Sequence, residues 1–209
     1  MSTDNRAPFG LRPCKRYIAT HDSEGKSVYA DSPEQVYKVR DAGAMSRSYA
    51  VGSIPADLEN DADVKAYKSE EGRTSYMREA IVVPGPGANL VVVDLKPGGV
   101  SAMHRTVSID FSICVIGEID HELDGGEKVR LQPGVDIPQL PFQAYGLLTV
   151  LQDHIVQRGT MHRWSNPSAT EPARFVACTL PCVPFDIAGQ TLMEFHDNSP
   201  QPIAKAAKL

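Results

Sequence analysis

The sequence predicts an all-β fold: one antiparallel barrel or sandwich of short strands, preceded by an N-terminal arm of short strands and a helix. Three observations carry this. From Asn89 onward β-rich runs follow one another at close spacing, turn-forming clusters separate them, and helix-period patterns are scarce in the same stretch. A chain of 209 residues has room for one such domain with extensions, and no internal repeat points to a duplicated barrel.

From Arg12 to about Tyr76 the chain is polar and punctuated, with Asp31-Ser-Pro-Glu and Ser53-Ile-Pro-Ala-Asp marking turns. Ala62 to Ser69 is the expected helix, with Asn60 and Asp61 as cap candidates. Strands are then expected at Leu90–Leu95, Ile109–Ile116, Ile119–Leu123, Val129–Leu131, Ile155–Gln157 and Phe175–Leu180. Pro97-Gly-Gly99, Asp124-Gly-Gly126 and Gln132-Pro-Gly134 supply residues that tolerate the φ angles of tight turns. The expected division is an arm over 1–88, a barrel over 89–183 and a tail over 184–209.

Composition narrows the function classes. Hydrophobic residues at 42% and charged residues at 22% suit a chain that buries one core. The net charge is −5 and the basic residues are interspersed with acidic ones, so no stripe suited to a phosphate backbone exists and nucleic acid is not an expected partner. No apolar run approaches bilayer length and the start of the chain lacks an apolar leader core, so neither membrane insertion nor secretion is expected. Cysteines 14, 114, 178 and 182 form no CxxC pair; they are expected to be reduced, with Cys114 and Cys178 in strands or core. Ala207-Lys208-Leu209 is a variant of the Ser-Lys-Leu peroxisomal address, so the expected location is cytoplasmic or peroxisomal.

Two clusters carry the chemistry. Gly98, His104, Thr106, Asp110 and Gly117 form the first; Gly159, His162 and Asn166 form the second. Their spacing resembles the two motifs of the cupin superfamily, G-x5-H-x-H-x3,4-E-x6-G and G-x2-H-x3-N. The text from His104 to Asp110 and from Val156 to Trp164 is similar to small cupins of filamentous fungi, several of them in biosynthetic gene clusters. The resemblance runs from about Arg12 to Val183. Two departures stand out: Thr106 replaces the second histidine and Asp110 replaces the glutamate.

The resemblance implies a jelly-roll cupin barrel in which His104, Asp110 and His162 converge on one interior site. Two imidazoles and a carboxylate are a ligand set for a divalent metal such as Fe, Mn, Ni or Zn. Against this, Asp is one methylene shorter than Glu and Thr is a poor neutral ligand, and His104 with Asp110 can equally be a structural imidazole–carboxylate pair. Thr106, Arg158 and Trp164 are the expected substrate contacts, with His162 and His104 catalytic. His162 has an ordinary pKa near neutrality, which suits a general acid or base if no metal binds. Arg163 and Arg105 are expected in surface ion pairs; His21, His121 and His196 match no motif and are expected in solvent. The resemblance also implies a homodimer.

Between Gly134 and Asp153, where a cupin runs from a Pro-Gly turn straight into a strand, Val135 to Gln152 intervene. Deleting them restores a Pro-Gly-Asp turn. The segment begins with Val, whose codons start GT, and ends with Gln, which CAG encodes; Leu147-Leu148-Thr149 can encode a CTAAC branch point. An unspliced, in-frame intron is expected, the alternative being a lineage-specific loop.

The expected function is a small-molecule enzyme of secondary metabolism, metal-supported, catalysing dehydration, isomerisation or oxidation of a carbonyl-containing, polyketide-like substrate. The alternative is a non-catalytic ligand-binding cupin whose ligand set has degraded.

Overall fold

The computed structural model describes residues 8–79, 81–134 and 152–197. Its N-terminal part holds β1 (Ile18–His21), β2 (Ser27–Ala30), β3 (Lys38–Val39), β4 (Gly43–Val51) and the helix α1 (Ala62–Lys68). The central strands are β5 (Ala88–Leu95), β6 (His104–Arg105), β7 (Ser108–Ile116), β8 (Ile119–Leu123) and β9 (Lys128–Leu131). They are followed by β10 (His154–Arg158), β11 (His162–Ser165), β12 (Ala173–Pro181), β13 (Asp186–Ile187), β14 (Gln190–Thr191) and β15 (Phe195–His196).

Each strand expected from the β-rich runs is present within a residue or two of its expected bounds, and the helix ends one residue early. The helix is capped differently from the sequence expectation. Asp61 stands at the N-cap with φ 55° but makes no side-chain cap bond; its carboxylate accepts instead from the Thr20 hydroxyl. Packing rather than capping holds α1. Val64 and Tyr67 are its buried residues, the Tyr67 ring lies 4.6 Å from that of Tyr49 on β4, and its hydroxyl donates to the Arg47 carbonyl at 3.0 Å.

Among the described residues the main strands form two antiparallel sheets. The larger has the order β10-β7-β12-β5-β4-β3 and the smaller β15-β6-β11-β8-β9. Two segments placed outside the barrel by the sequence are built into them. β4 pairs with β5 along nearly its whole length, and β15 pairs with β6, His196 opposite His104. The sheets meet in a core that joins Val91, Leu95, Cys114 and Phe175 of one to Ile119 and Trp164 of the other. Trp164 and Phe175 stack across this junction at 4.5 Å.

Burial decides the orientation of β7. Its sequence alternates Ser, Ile, Asp, Phe, Ser, Ile, Cys, which fixes a strand with two unlike faces. The polar set points inward: Ser108, Asp110, Ser112 and Cys114 are buried while Phe111 and Ile113 are exposed. Apolar burial therefore comes from the neighbours of β7, and the interior beside it is left polar.

The larger sheet is clamped by one buried ion pair. Arg174 and Asp94 lie directly opposite each other on β12 and β5, joined by two hydrogen bonds of 2.6 and 2.8 Å, and a third Arg174 nitrogen donates to the Arg12 carbonyl at 2.8 Å. Each of the three guanidinium nitrogens has a fixed acceptor, which offsets part of the desolvation of the pair, although burial still pushes the Asp94 carboxyl up.

Val135 to Gln152 lie outside the described residues except for Gln152. The flanks, however, are joined: the Asp153 amide donates to the Gln132 carbonyl at 3.1 Å, and the Asp153 carboxylate accepts from the Gln132 amide at 2.9 Å.

Candidate functional site

A cavity of about 290 Å³ lies between the sheets, and His104, Thr106, Asp110, His162 and Trp164 all line it. The motif glycines explain how the chain delivers them. Gly159, at φ 62°, turns the chain between β10 and β11, and a Cβ there would stand 2.9 Å from the Leu192 side chain. Gly117, at φ 67°, makes the β7–β8 turn against Ala173. Only glycine adopts such angles at no steric cost. Asn166, fully buried, ties the far end of β11 down by donating to the Lys96 and Glu171 carbonyls and accepting from the Ser168 amide.

His104 and His162 face each other in register across β6 and β11, ring centroids 4.3 Å apart. Each uses Nδ1 on a backbone carbonyl, His104 on Ala102 at 2.9 Å and His162 on Thr160 at 3.0 Å. A carbonyl only accepts, so Nδ1 carries the hydrogen and Nε2 presents a lone pair. Neither Nε2 has a protein partner among the described residues. Burial, with the neighbouring His104 ring adding to it, lowers His162 to about 3, and burial also lowers His104. Both rings are neutral at physiological pH.

Asp110 is 6% exposed. Burial pushes its carboxyl up to about 6 against the opposing hydrogen bonds from Ser108 and Thr106, and its Oδ1 has no partner. Thr106 and Ser108 share a hydrogen bond of 2.7 Å. Ser112, two residues beyond Asp110 on the same inward face, also lines the cavity, with no protein partner for its hydroxyl among the described residues. The alternative structural pair of His104 with Asp110 is not formed among the described residues: the two share the cavity, but His104 Nδ1 engages the Ala102 carbonyl.

The residues present meet the requirements of a metal only in part. Two imidazoles with carbonyl-anchored Nδ1 and free Nε2 are arranged as metal-binding histidines are. Yet among the described residues no group of three His, Cys, Asp or Glu side chains is placed to hold an ion. The set His104, Asp110 and His162 therefore does not close as a three-residue ligand shell.

Several sequence expectations change. Arg158 does not reach the cavity; Gln157 takes the inward position on β10, so Arg158 points outward and lines a separate groove with Lys128, His154 and Phe185. Arg163 is paired as expected, with Glu122 at 2.6 Å, whereas Arg105 donates to the Met193 carbonyl. His121 is not in solvent but 4% exposed, its ring 4.6 Å from Trp164 and 5.4 Å from His162. His196 is exposed yet stacks on His104, centroids 5.8 Å apart and planes 4° from parallel. His21 is exposed, as expected.

His121 brings in a residue no motif pointed to. Its Nε2 lies 2.9 Å from Gln157 Oε1, and the Gln157 amide nitrogen donates to the Thr160 carbonyl at 2.8 Å. That carbonyl is the one that anchors His162. The amide must face the carbonyl with its nitrogen, which leaves its oxygen for His121 and makes His121 Nε2 the donor. The only hint in the sequence was alternation along β8 and β10, which put His121 and Gln157 on inward faces.

No family model matches the chain. Curated relatives do. Phomopsin biosynthesis cluster protein D of Diaporthe leptostromiformis is 37% identical over 91% of this chain and 90% of its own length. Oryzines biosynthesis cluster protein J of Aspergillus oryzae is 34% identical over 86% and 89%. The cupin-domain-containing oxidoreductase srdB of Neurospora crassa is 30% identical over 91% and 84%. A two-sheet β fold with both motif clusters on one cavity is a cupin architecture. The chain belongs to the fungal cupin-domain proteins associated with secondary-metabolite gene clusters.

Proposed function

We propose that the protein is a small-molecule enzyme of a fungal biosynthetic pathway that moves a proton on a carbonyl-containing substrate, in an isomerisation or a dehydration. The observation that carries this is the unpaired, buried Asp110 Oδ1 in a cavity shared with two neutral imidazoles. A carboxyl near 6 is largely ionised at neutral pH and remains a competent base, as proton abstraction next to a carbonyl requires.

Asp110 takes the proton from the carbon beside the carbonyl, and the electron pair moves onto the carbonyl oxygen. The Ser112 hydroxyl is the cavity group free to donate to that oxygen. The proton then returns from Asp110 to a carbon further along the conjugated system, which isomerises the substrate, or to a β-hydroxyl that leaves as water. His104 and His162 accept hydrogen bonds from substrate hydroxyls and hold it in place; at about 3, His162 does not itself store the proton. Met45, Val93 and Phe175 surround the reacting end and exclude water. A divalent ion would add Lewis acidity at His104 and His162, but with the third ligand out of place no step is assigned to it.

The test is solvent deuterium exchange, followed by proton NMR, into a panel of cyclic ketones and diketones, together with elemental analysis of the purified protein. Accelerated exchange that falls by about 10²-fold or more in Asp110→Asn supports the reading. Bound ligand with no exchange moves the protein to the second reading, a binding cupin, which Thr106 at the second histidine position favours. Near-stoichiometric metal lost in the His104→Ala, His162→Ala double variant restores metal-supported chemistry.

A further inference from the structure

We propose that the ligand of this cavity is a neutral, hydroxyl-bearing aromatic or enol of one or two fused rings, held by donation of its hydroxyl to the facing Nε2 lone pairs of His104 and His162, with Asp110 beside them left to act as the base. This rests on the reading of the cavity as the substrate site and names the class of molecule it takes.

The polar atoms fixed at the inner end of the cavity are of one kind. His104 and His162 have given their Nδ1 hydrogens to Ala102 and Thr160, and both present Nε2. Asp110 presents Oδ1. The other hydroxyls around them are engaged: Ser101 accepts from the Trp164 amide and donates to the Ala102 carbonyl, Thr179 donates to the Ile81 carbonyl, and Thr106 and Ser108 are bonded to each other, the hydrogen left over going to Asp110. Ser112 alone can turn either way. Of these acceptors Asp110 Oδ1 is fully buried without a donor, which costs free energy, and a row of lone pairs of one kind favours a ligand that brings a donor.

The remainder of the cavity selects the body of that donor. Its walls include Val91, Val93, Leu95, Phe175 and Trp164, which favour an apolar, flat molecule. A cavity of about 150 Å³ admits benzene. The volume here, about 290 Å³, suits one or two fused rings. A cation would satisfy the same lone pairs but would have to leave water for a largely apolar cavity in which Glu79 and Asp94 are already paired with Arg40 and Arg174 and Asp110 alone remains to offset it, whereas a neutral hydroxyl avoids that desolvation.

The experiment uses the full chain and four probes: naphthol, its methyl ether, naphthalene and naphthylmethylammonium, titrated by calorimetry at pH 7.5. Naphthol is expected to bind about tenfold to a hundredfold more tightly than the ether, which has the same body but no donor. In His104→Phe that preference shrinks toward unity while the ether still binds. Thermal unfolding of each variant confirms that it is folded, and His162→Phe serves where His104→Phe is not. Equal affinity for naphthol and ether overturns the proposal, as does tighter binding of the ammonium. The outcome is separable from catalysis: a naphthol preference without deuterium exchange sinks the enzyme reading and leaves the ligand class standing.

Discussion

His162 and Gln157 hold the same atom. The His162 Nδ1 and the Gln157 amide nitrogen both lie within 3.0 Å of the Thr160 carbonyl oxygen, so one backbone group fixes the tautomer of His162 and the amide that restrains His121.

Removing Gln157 tests that arrangement. Gln157→Leu leaves the His121 Nε2–H buried without an acceptor, at an expected cost of about 1–3 kcal/mol. The ¹⁵N shifts of His162 report the tautomer directly. They should show a mixture in the variant and a single Nδ1–H form in the wild type; an unchanged spectrum would make Gln157 a packing residue only.

Buried neutral histidines make the fold sensitive to mild acid. The unfolded chain takes up a proton at His162 near 6.5, while the folded one resists until about 3. Stability is therefore full above 6.5 and falls as the pH drops below it, by about 1.4 kcal/mol per pH unit for this group. Burial lowers His104 and His121 too and steepens the loss, while Asp110, raised to about 6, takes up its proton more readily in the folded chain and offsets the part of one such group below about pH 6. Urea midpoints between pH 7.5 and 4.5 should fall, and the slope should flatten in His162→Gln.

The Arg174–Asp94 clamp is the structural counterpart of the site. Asp94→Ala strands a guanidinium that is 7% exposed and should cost about 3–5 kcal/mol, enough to lower the melting temperature by many degrees. A joint Asp94→Leu, Arg174→Met replacement should cost clearly less, because no charge is left alone. Denaturant unfolding of both variants reads the difference.

Deletion of 135–152 should leave a folded protein. Gln132 and Asp153, which flank the segment, are already hydrogen bonded twice, so the shortened turn joins ends that meet anyway. Loop-closure entropy changes slowly with length, so the melting temperature should stay level or rise. A deletion variant that fails to fold would count against both the intron and the dispensable loop. A transcript that retains the segment would count against the intron alone.

How much of this was legible follows from particular residues. Short β-rich runs bounded by Gly, Pro and Asp marked β5, β7, β8, β10 and β12, because β-branched and apolar residues between turn formers are visible in any short window. The motif spacing put Gly117 and Gly159 at turns, where their positive φ requires glycine. It also put His104, Asp110 and His162 on one cavity. All of that is local, or carried by the resemblance to known cupins.

The tertiary structure decided what depends on which strands become neighbours. Alternation gives two faces but does not say which one is inside; β7 turned its serines and Asp110 inward because β5, β11 and β12 supply the apolar side of the core. His121 became buried only because β8 pairs with β11 and sets it opposite Trp164, and His196 reached His104 only because β15 closes onto β6. Arg158 was turned outward by the register that pairs Gln157 with Asp110. Cross-strand register joins residues dozens of positions apart, and a shift of one residue would reverse every one of these assignments.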